Sequence, residues 1–196
     1  MFHGMSPSML ERMAYMEAVD ARDRLDGTPI AYRLRQIPPE TGRFLALLAA
    51  SSPRGAVLEI GTSGGYSSLW LALACRQRGD RLITFEATAN KVSLAQETFR
   101  LAQVQDIVQI VQGDAMLLLP HYPDVAFCFI DIEKDAYRRC YDRLLPNLVP
   151  RGIICADNAV SHAVELASFL EYVASDSRVD SLIVPLGKGV LVCRKV

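Results

Sequence analysis

Short apolar runs alternate along the chain with longer amphipathic stretches, which is typical of an α/β protein. Seven runs have the length of strands: Ala56–Ile60, Arg81–Glu86, Ile107–Val111, Val125–Ile130, Gly152–Ala156, Ser181–Pro185 and Val190–Arg194. Four stretches between them have helical spacing, at Tyr66–Arg78, Asn90–Ala102, Ala136–Leu148 and His162–Ala174. Strands connected by helices of this length form right-handed crossovers, so the pattern predicts a parallel sheet.

The two ends of the chain depart from this alternation. Only LGKG separates the last two runs, which is too short for a crossover, so they should form an antiparallel hairpin. Before the first strand, Pro7–Arg24 and Pro39–Ser51 read as helices that flank the sheet. We therefore expect a single domain over residues 1–196, with N-terminal helices in 1–52 and the core in 53–196.

Composition narrows the class of protein. Lys and Arg number 21 and Asp and Glu 22, a net charge of −1, which disfavours an obligate nucleic-acid binder. No apolar run approaches the roughly 18 residues of a membrane span, and no secretory signal is evident. The five cysteines are scattered without a CxxC pair, as expected of buried, reduced thiols. We expect a cytoplasmic protein that does not associate with membranes.

The most informative stretch is AVLEIGTSGGYSSLWLALA, a strand, a Gly-rich turn and a helix. Gly61 and Gly65 allow the backbone to turn tightly and to approach a ligand closely. The dinucleotide fingerprint G-x-G-x-x-G would need glycine at positions 63 and 66, where Ser63 and Tyr66 stand. A nicotinamide cofactor is therefore disfavoured.

The same turn also spells G-x-S-x-G, the pattern of a hydrolase nucleophile elbow centred on Ser63. Two features count against this interpretation. The turn follows the first predicted strand, whereas an elbow normally follows several. Only His3, His121 and His162 could act as the base, and none has an obvious orienting acid. A Ser63 hydrolase is kept as the alternative from another enzyme class.

Acidic residues follow the first three strands or lie near their ends. Glu59 lies two residues before Gly61, Glu86 ends the second predicted strand, and Asp114 follows the third. A carboxylate at the tip of the second strand suits a ribose diol, because it can accept hydrogen bonds from two hydroxyls. Acids beside a loop without phosphate chemistry favour a cationic cofactor that lacks phosphate, such as S-adenosylmethionine. For any one acid alone a structural explanation is favoured, with Glu59 and Asp114 as helix caps and Glu86 as a solvated strand end.

The fourth and fifth predicted strands end in unusually polar sequences. FCFIDIEK places Asp131 and Lys134 after one strand, and GIICADN places Asp157 and Asn158 after the other. If these strands are parallel neighbours, about 4.8 Å apart, both sets emerge at one edge of the sheet. Two carboxylates and an amide oxygen form a hard, all-oxygen site that suits Mg²⁺ or Ca²⁺ better than zinc. The alternative is that both aspartates cap helices.

Five segments together resemble the catechol/caffeoyl-CoA-type O-methyltransferases. They are VLEIGTSGGYSSLWLA, TFEATANKVSLAQETF, VQGDAMLLLP, FCFIDIEKDAYRRCYDRLLPNLVPRGIICADNAV and VPLGKGVLVCRK, in the family's order. The resemblance runs from about Ile37 to the C-terminus. It implies a Rossmann-like class I methyltransferase fold, with a seven-stranded, mostly parallel sheet, a C-terminal antiparallel hairpin and helices on both faces.

The resemblance also assigns roles to individual residues. It places a divalent metal on Asp131, Asp157 and Asn158, with Mg²⁺ expected and Ca²⁺ or Mn²⁺ as alternatives, and makes Lys134 the general base. Its contacts to S-adenosylmethionine map to Ile37, Glu59, Gly61, Ser63, Ser67, Glu86, Ala115 and Asp131.

The expected activity is metal-dependent transfer of a methyl group from S-adenosylmethionine to a small ortho-dihydroxy aromatic acceptor. The segment after Asn158 is shorter than is usual in the family, which opens the acceptor pocket and leaves the acceptor's identity open. A methyltransferase acting on a hydroxylated tRNA nucleoside is the alternative on the same scaffold. A homodimer is a family-level expectation.

Overall fold

A computed structural model describes residues 1–196, apart from the side chain of Ala31. Its seven strands form one sheet in the order β3-β2-β1-β4-β5-β7-β6. The strands are β1 (Ala56–Ile60), β2 (Leu82–Glu86), β3 (Val108–Gln112), β4 (Val125–Ile130), β5 (Leu148–Ala156), β6 (Val179–Val184) and β7 (Val190–Lys195). The helices are α1 (Pro7–Asp23), α2 (Pro39–Ser51), α3 (Tyr66–Arg78), α4 (Ala89–Leu101), α5 (Ala115–Leu118), α6 (Tyr137–Leu144) and α7 (Ala167–Ala174).

The sheet is buried on both faces. Alternate side chains of β4 point to opposite sides, so that Phe127 and Phe129 join one hydrophobic cluster and Cys128 and Ile130 the other. The first cluster includes residues of α1 to α4, and the second includes residues of α5, α6 and α7. This two-sided burial explains why the run over β4 is apolar at every position.

The predicted fold class is confirmed. β1 pairs in parallel with β2 and β4, and β4 pairs in parallel with β5. β7 lies antiparallel between β5 and β6, as the short LGKG connection indicated. Within the described chain, no helix has both the length and the apolar character needed to cross a bilayer. All five cysteines are buried and unpaired, as expected.

Three element boundaries near the site were predicted wrongly. The helix expected over Ala136–Leu148 ends at Leu144, and β5 begins at Leu148, four residues before the predicted start. The last predicted helix begins at Ala167, so His162 lies in a series of turns and does not open the helix. The cause is tertiary, because the backbone N–H groups of residues 159–161 donate to carbonyl groups of the β6–β7 loop.

Candidate active site

A cavity of about 740 Å³ lies at the carboxyl ends of the parallel strands. This is the edge where open α/β sheets bind ligands. Of the predicted site residues, six line it: Gly61, Ser63, Glu86, Ala115, Asp131 and Asn158. The other five are not part of the lining: Ile37, Glu59, Ser67 and Asp157 are buried, and Lys134 is partly buried. The roles predicted for these residues remain predictions.

The glycine turn is held tightly between β2 and β4. Gly61 has φ +98°, and its N–H donates to the Phe85 carbonyl at 3.0 Å. A Cβ at this position would lie 2.0 Å from the backbone oxygen of Asp131. Only glycine fits here, because both the left-handed backbone and the close approach exclude a side chain. The glycine turn therefore packs directly against the backbone of Asp131, the residue that follows β4.

Glu86 anchors the next part of the turn. One carboxylate oxygen of Glu86 accepts from the Ser63 N–H at 2.9 Å, and the other accepts from the Thr88 N–H at 3.0 Å. The Ser63 hydroxyl donates to the Leu34 carbonyl at 3.0 Å. These bonds fix the Glu86 carboxylate at the cavity wall, where its remaining acceptor positions can meet a diol.

Glu59 lies beneath the turn and is completely buried. Its carboxylate accepts from the Ser67 hydroxyl at 2.5 Å, the Thr84 hydroxyl at 2.6 Å and the Ser68 hydroxyl. Burial raises the pKa of Glu59 to about 7, although the three hydroxyls oppose this rise. Glu59 thus ties β1 to β2 and to the first turn of α3, and Ser67 faces this carboxylate.

Two further predicted cofactor residues, Ile37 and Ala115, lie in segments outside the glycine turn. Ile37 is buried, with 2% of its surface exposed, in the segment that precedes α2. Ala115 opens α5 directly after Asp114, whose carboxylate accepts from the Met116 N–H at 2.8 Å. Asp114 is therefore a helix cap, one of the explanations that the sequence left open.

The oxygen-rich cluster forms as predicted at the ends of β4 and β5. Ile130 and Ala156 are paired neighbours, so Asp131 and Asp157 leave the sheet side by side. The Asn158 amide nitrogen donates to Asp131 Oδ1 at 2.9 Å, and Asn158 has φ +68°. Neither aspartate caps a helix. Asp131 is thus brought together with Asp157 and Asn158, which lie 26 and 27 residues further along the chain.

Asp157 is unusual in having no partner for its charge. Its side chain is fully buried, and both carboxylate oxygens are without a hydrogen bond within the described chain. Burial and the neighbouring Asp131 raise the pKa of Asp157 to about 6, and burial raises that of Asp131. A buried carboxylate without a donor is costly, since desolvation is not offset by new bonds.

Lys134 stands beside this cluster. Its ammonium donates to the Ile132 carbonyl at 2.9 Å and lies 3.8 Å from Asp131 Oδ1. It also lies 3.4 Å from the hydroxyl of Tyr137, which is equally far from the Asn158 amide nitrogen. Burial lowers the pKa of Lys134, although Asp131 opposes the change. Lys134 is thus more easily deprotonated than a solvated lysine.

Two residues near this cluster were not predicted: Lys188, which lines the cavity, and Tyr137, which is fully buried. Lys188 lies in the β6–β7 loop and lines the cavity. Because β7 runs antiparallel beside β5, its preceding loop lies at the edge where β5 ends, so the predicted hairpin could have located Lys188. Tyr137, three residues after Lys134, gave no sequence signal beyond that spacing.

The geometry does not support a Ser63 nucleophile. The Ser63 hydroxyl donates to a backbone carbonyl, and no histidine of the described chain hydrogen-bonds to it. His162, which lines the cavity, is instead 2.9 Å from the Ser161 hydroxyl.

The described residues contain no group of three or more His, Cys, Asp or Glu suited to a metal. The predicted metal set differs from such a group, since it combines two carboxylates with an amide.

The sequence matches known O-methyltransferases. It is 34% identical over 129 residues to the catechol O-methyltransferase of Niastella koreensis, a match that covers 63% of this chain and 58% of that protein. It is 26% identical over 184 residues to the caffeoyl-CoA O-methyltransferase of Populus kitakamiensis, covering 82% and 78% of the two chains. The chain thus spans less than two thirds of the length of the Niastella relative.

Solved structures share the fold. The SAH-bound Podospora anserina methyltransferase matches with a TM-score of 0.81 and 22% identity, covering 99% of this chain and 90% of that one. The Bacillus cereus O-methyltransferase in complex with SAH matches with a TM-score of 0.78 and 25% identity, covering 95% and 91%. The O-methyltransferase family model matches residues 24–196. The chain belongs to the O-methyltransferase family.

Proposed function

We propose that this protein is a divalent-metal-dependent O-methyltransferase that uses S-adenosylmethionine to methylate a hydroxyl of a small ortho-dihydroxy aromatic. The observation that carries the proposal is the buried, unpartnered carboxylate of Asp157 beside Asp131. Support for the cofactor comes from the family and from SAH in two structural neighbours. Support for the acceptor comes from relatives named for catechol and caffeoyl-CoA.

The residues present fit a hard divalent cation. Asp131 and Asp157 supply carboxylate oxygens from adjacent strands, and the two oxygens of Asp157 lack any donor in the described chain. Asn158 now directs its amide nitrogen at Asp131, so acting as a ligand requires its oxygen to turn inward. A small oxygen set that leaves positions for water and substrate is typical of Mg²⁺.

When bound, S-adenosylmethionine supplies the methyl group and the cation lowers the pKa of a bound hydroxyl. Lys134 is the group placed to accept that proton, because its amine lies 3.8 Å from Asp131 Oδ1 and burial lowers its pKa. Tyr137 and the Ile132 carbonyl hold the Lys134 amine in position.

The other half of the cavity holds the methyl donor. Glu86 presents a fixed carboxylate to a ribose diol, and Gly61 and Ser63 line the approach. Glu59 fastens the turn from below and keeps its position relative to β2. Because Gly61 touches the Asp131 backbone, the donor and acceptor halves are held in a fixed relation, and such positioning supplies much of the rate in methyl transfer.

The test is a methyl-transfer assay with S-adenosylmethionine and matched diols. We expect transfer to catechol with Mg²⁺, loss of transfer with a chelator and recovery on adding excess Mg²⁺. Resorcinol, whose hydroxyls are not adjacent, is the matched control and should be a much poorer acceptor. Equal transfer to catechol and resorcinol, or full activity with the chelator, would contradict the proposal.

The cations of the cavity favour a hydroxylated tRNA nucleoside as a second candidate acceptor. Six lysine and arginine side chains line the cavity: Arg24, Arg33, Arg35, Lys91, Arg139 and Lys188. If RNA is the acceptor, binding should weaken steeply with salt, because phosphate contacts release counterions. If unmodified tRNA binds at neither 50 mM nor 200 mM salt, this candidate is excluded.

A further inference from the structure

Lys188 is the one partly buried cation of the cavity lining that has no partner in the described chain. Four of the six cavity cations are engaged. Arg24 pairs with Asp20 at 2.8 Å, Arg35 pairs with Glu133 at 3.3 Å, Arg33 donates to the Thr28 carbonyl, and Lys91 donates to the Arg33 carbonyl. Arg139 also lacks a partner among the described residues, but it is exposed and borders a shallow surface groove.

The loop that carries Lys188 is rigid. The Lys188 carbonyl accepts from the N–H groups of Val160 at 3.0 Å and Ser161 at 2.9 Å. On either side, a Cβ at Gly187 would lie 2.4 Å from the Thr41 hydroxyl, and one at Gly189 would lie 2.4 Å from the Val160 side chain. The backbone is therefore fixed by packing against α2 and against the segment after Asn158, and only the side chain of Lys188 can move freely.

The position of Lys188 relates it to the acceptor. The segment 159–161 that holds the loop follows directly from Asp157 and Asn158. Lys188 and Asn158 line the same cavity as Asp131. In the described chain the ion pair of Asp131 is with Lys134, at 3.8 Å, which leaves the Lys188 ammonium available to a ligand.

We infer that Lys188 forms an anion subsite for the acceptor, so that the preferred acceptors are ortho-dihydroxy aromatics whose ring substituent carries a carboxylate. The inference rests on the proposed function. A diol held by Asp131, Asp157 and Asn158 leaves the ring substituent facing the rest of the cavity wall, where Lys188 offers an ammonium with three donors. Because the loop backbone is already fixed, binding an anion needs to order only the half-buried side chain of Lys188, which limits the freedom lost on binding.

Three acceptors of matched size separate charge from ring reactivity. They are 3,4-dihydroxyphenylacetate, which is anionic, 2-(3,4-dihydroxyphenyl)ethanol, which is neutral, and dopamine, which is cationic. One methylene group separates the carboxylate from the ring and two separate the ammonium, so the reactivity of the ring hydroxyls remains similar. The readout is the ratio of kcat/KM for each charged acceptor to that for the alcohol, at saturating Mg²⁺ and S-adenosylmethionine.

In the unaltered enzyme the acetate should have the highest kcat/KM of the three. Lys188→Gln should lower the acetate-to-alcohol ratio about tenfold, mainly through KM, as expected for loss of a hydrogen bond to a charged group. Lys188→Glu should reverse the preference and raise the dopamine-to-alcohol ratio. Arg100→Gln removes an exposed cation of α4 and should leave both ratios unchanged.

The outcomes distinguish this inference from the proposed function. Methylation of all three acceptors with ratios that neither Lys188 variant alters would overturn the anion subsite and leave the methyltransferase intact. If the unaltered enzyme methylates none of them, the proposed function fails and the subsite fails with it. Thermal unfolding of each variant guards against misfolding, which would affect all three acceptors alike.

Discussion

The two halves of the cavity, the glycine turn with Glu86 and the ends of β4 and β5, differ in the hydrogen bonding of their buried carboxylates. Beneath the glycine turn, Glu59 accepts from three hydroxyls and has a complete set of partners. At the ends of β4 and β5, Asp157 is equally buried and has no partner for either oxygen. A buried carboxylate with a full set of hydrogen-bond donors stabilises the fold. A buried carboxylate without donors lowers stability unless a ligand supplies the missing contacts. The contrast supports the proposal that Glu59 holds the turn in place and that Asp157 binds a ligand.

The contrast extends to the way each half is made rigid. Hydrogen bonds hold Glu86 from two sides and secure Ser63 to both Glu86 and Leu34. In the acceptor half, Lys134 and Asn158 are linked through Tyr137 by contacts of 3.4 Å, which are long for hydrogen bonds. Around Glu86 the hydrogen bonds are therefore short on both sides, whereas the contacts of Tyr137 are longer than the 2.9 Å bonds that Lys134 and Asn158 make to Ile132 and Asp131.

The largest effect is expected from Asp157→Asn, which keeps the side-chain shape and removes the unpartnered charge. Methyl transfer to catechol should fall about 10³-fold, since a bound cation contributes several kcal/mol to the barrier. S-adenosylmethionine should still bind, because the donor half is intact. If Asp157→Asn keeps a metal-dependent rate within a few fold of the original, Asp157 is not needed as a ligand, and the proposed difference in role between Asp157 and Glu59 is wrong.

Lys134→Met should reduce kcat by about 10²-fold or more, as expected when a general base is lost. In the unaltered enzyme the rate should rise with pH as Lys134 loses its proton, below the ordinary lysine range because burial lowers its pKa. The pH–rate profile of the variant should lack this contribution. Asp135→Asn, an exposed neighbour, serves as the control, and an unchanged profile in Lys134→Met would argue against a base there.

Glu86→Gln should act on cofactor binding. The amide can no longer accept on both sides, so its bonds to the N–H groups of Ser63 and Thr88 compete with any bond to a ribose hydroxyl. We expect Kd for S-adenosylmethionine to rise about tenfold, measured by calorimetry, the size of effect typical of a hydrogen bond to a charged group. Glu97→Gln on the exposed side of α4 is the matched control, and equal effects from both variants would contradict a cofactor role.

The smallest effect concerns stability and pH at Glu59. The pKa is raised from 4.5 to about 7 in the fold, so folding favours the protonated form. The contribution to stability is therefore complete below pH 4.5 and is lost as pH rises toward 7. In ligand-free protein, Glu59→Gln should remove this decline in the free energy of unfolding. Parallel pH curves for the two proteins would show that Glu59 is not the titrating group.

Much of the fold could be predicted from sequence, because strand runs, helix spacing and the short LGKG connection are local patterns. The meeting of Asp131 with Asp157 and Asn158 followed from parallel topology alone. What could not be predicted depended on distant contacts. The late start of α7 arises from bonds to the β6–β7 loop, and the burial of Glu59 under the turn depends on hydroxyls from α3 and β2.

The same limit applies to Lys188. The residue stands in a hairpin turn, where a lysine is most often a solvated surface residue, and its place in the cavity follows only when β7 is set antiparallel beside β5. Tertiary context, and not residue type, distinguishes it from the other surface cations. Residues whose roles depend on neighbours far along the chain are those that sequence patterns miss.

The most direct test of the account is a calorimetric titration of Mg²⁺ into the protein saturated with catechol and S-adenosylhomocysteine, the demethylated cofactor, which prevents turnover during the titration. We predict one Mg²⁺ bound per chain in the unaltered protein and loss of that binding in Asp157→Asn, with Glu59→Gln retaining it. Asp157→Asn and Glu59→Gln each remove one buried carboxylate, so the variant that loses Mg²⁺ binding identifies the carboxylate that binds the ion. Equal Mg²⁺ binding by the unaltered protein and Asp157→Asn, or none by either, would contradict the central claim.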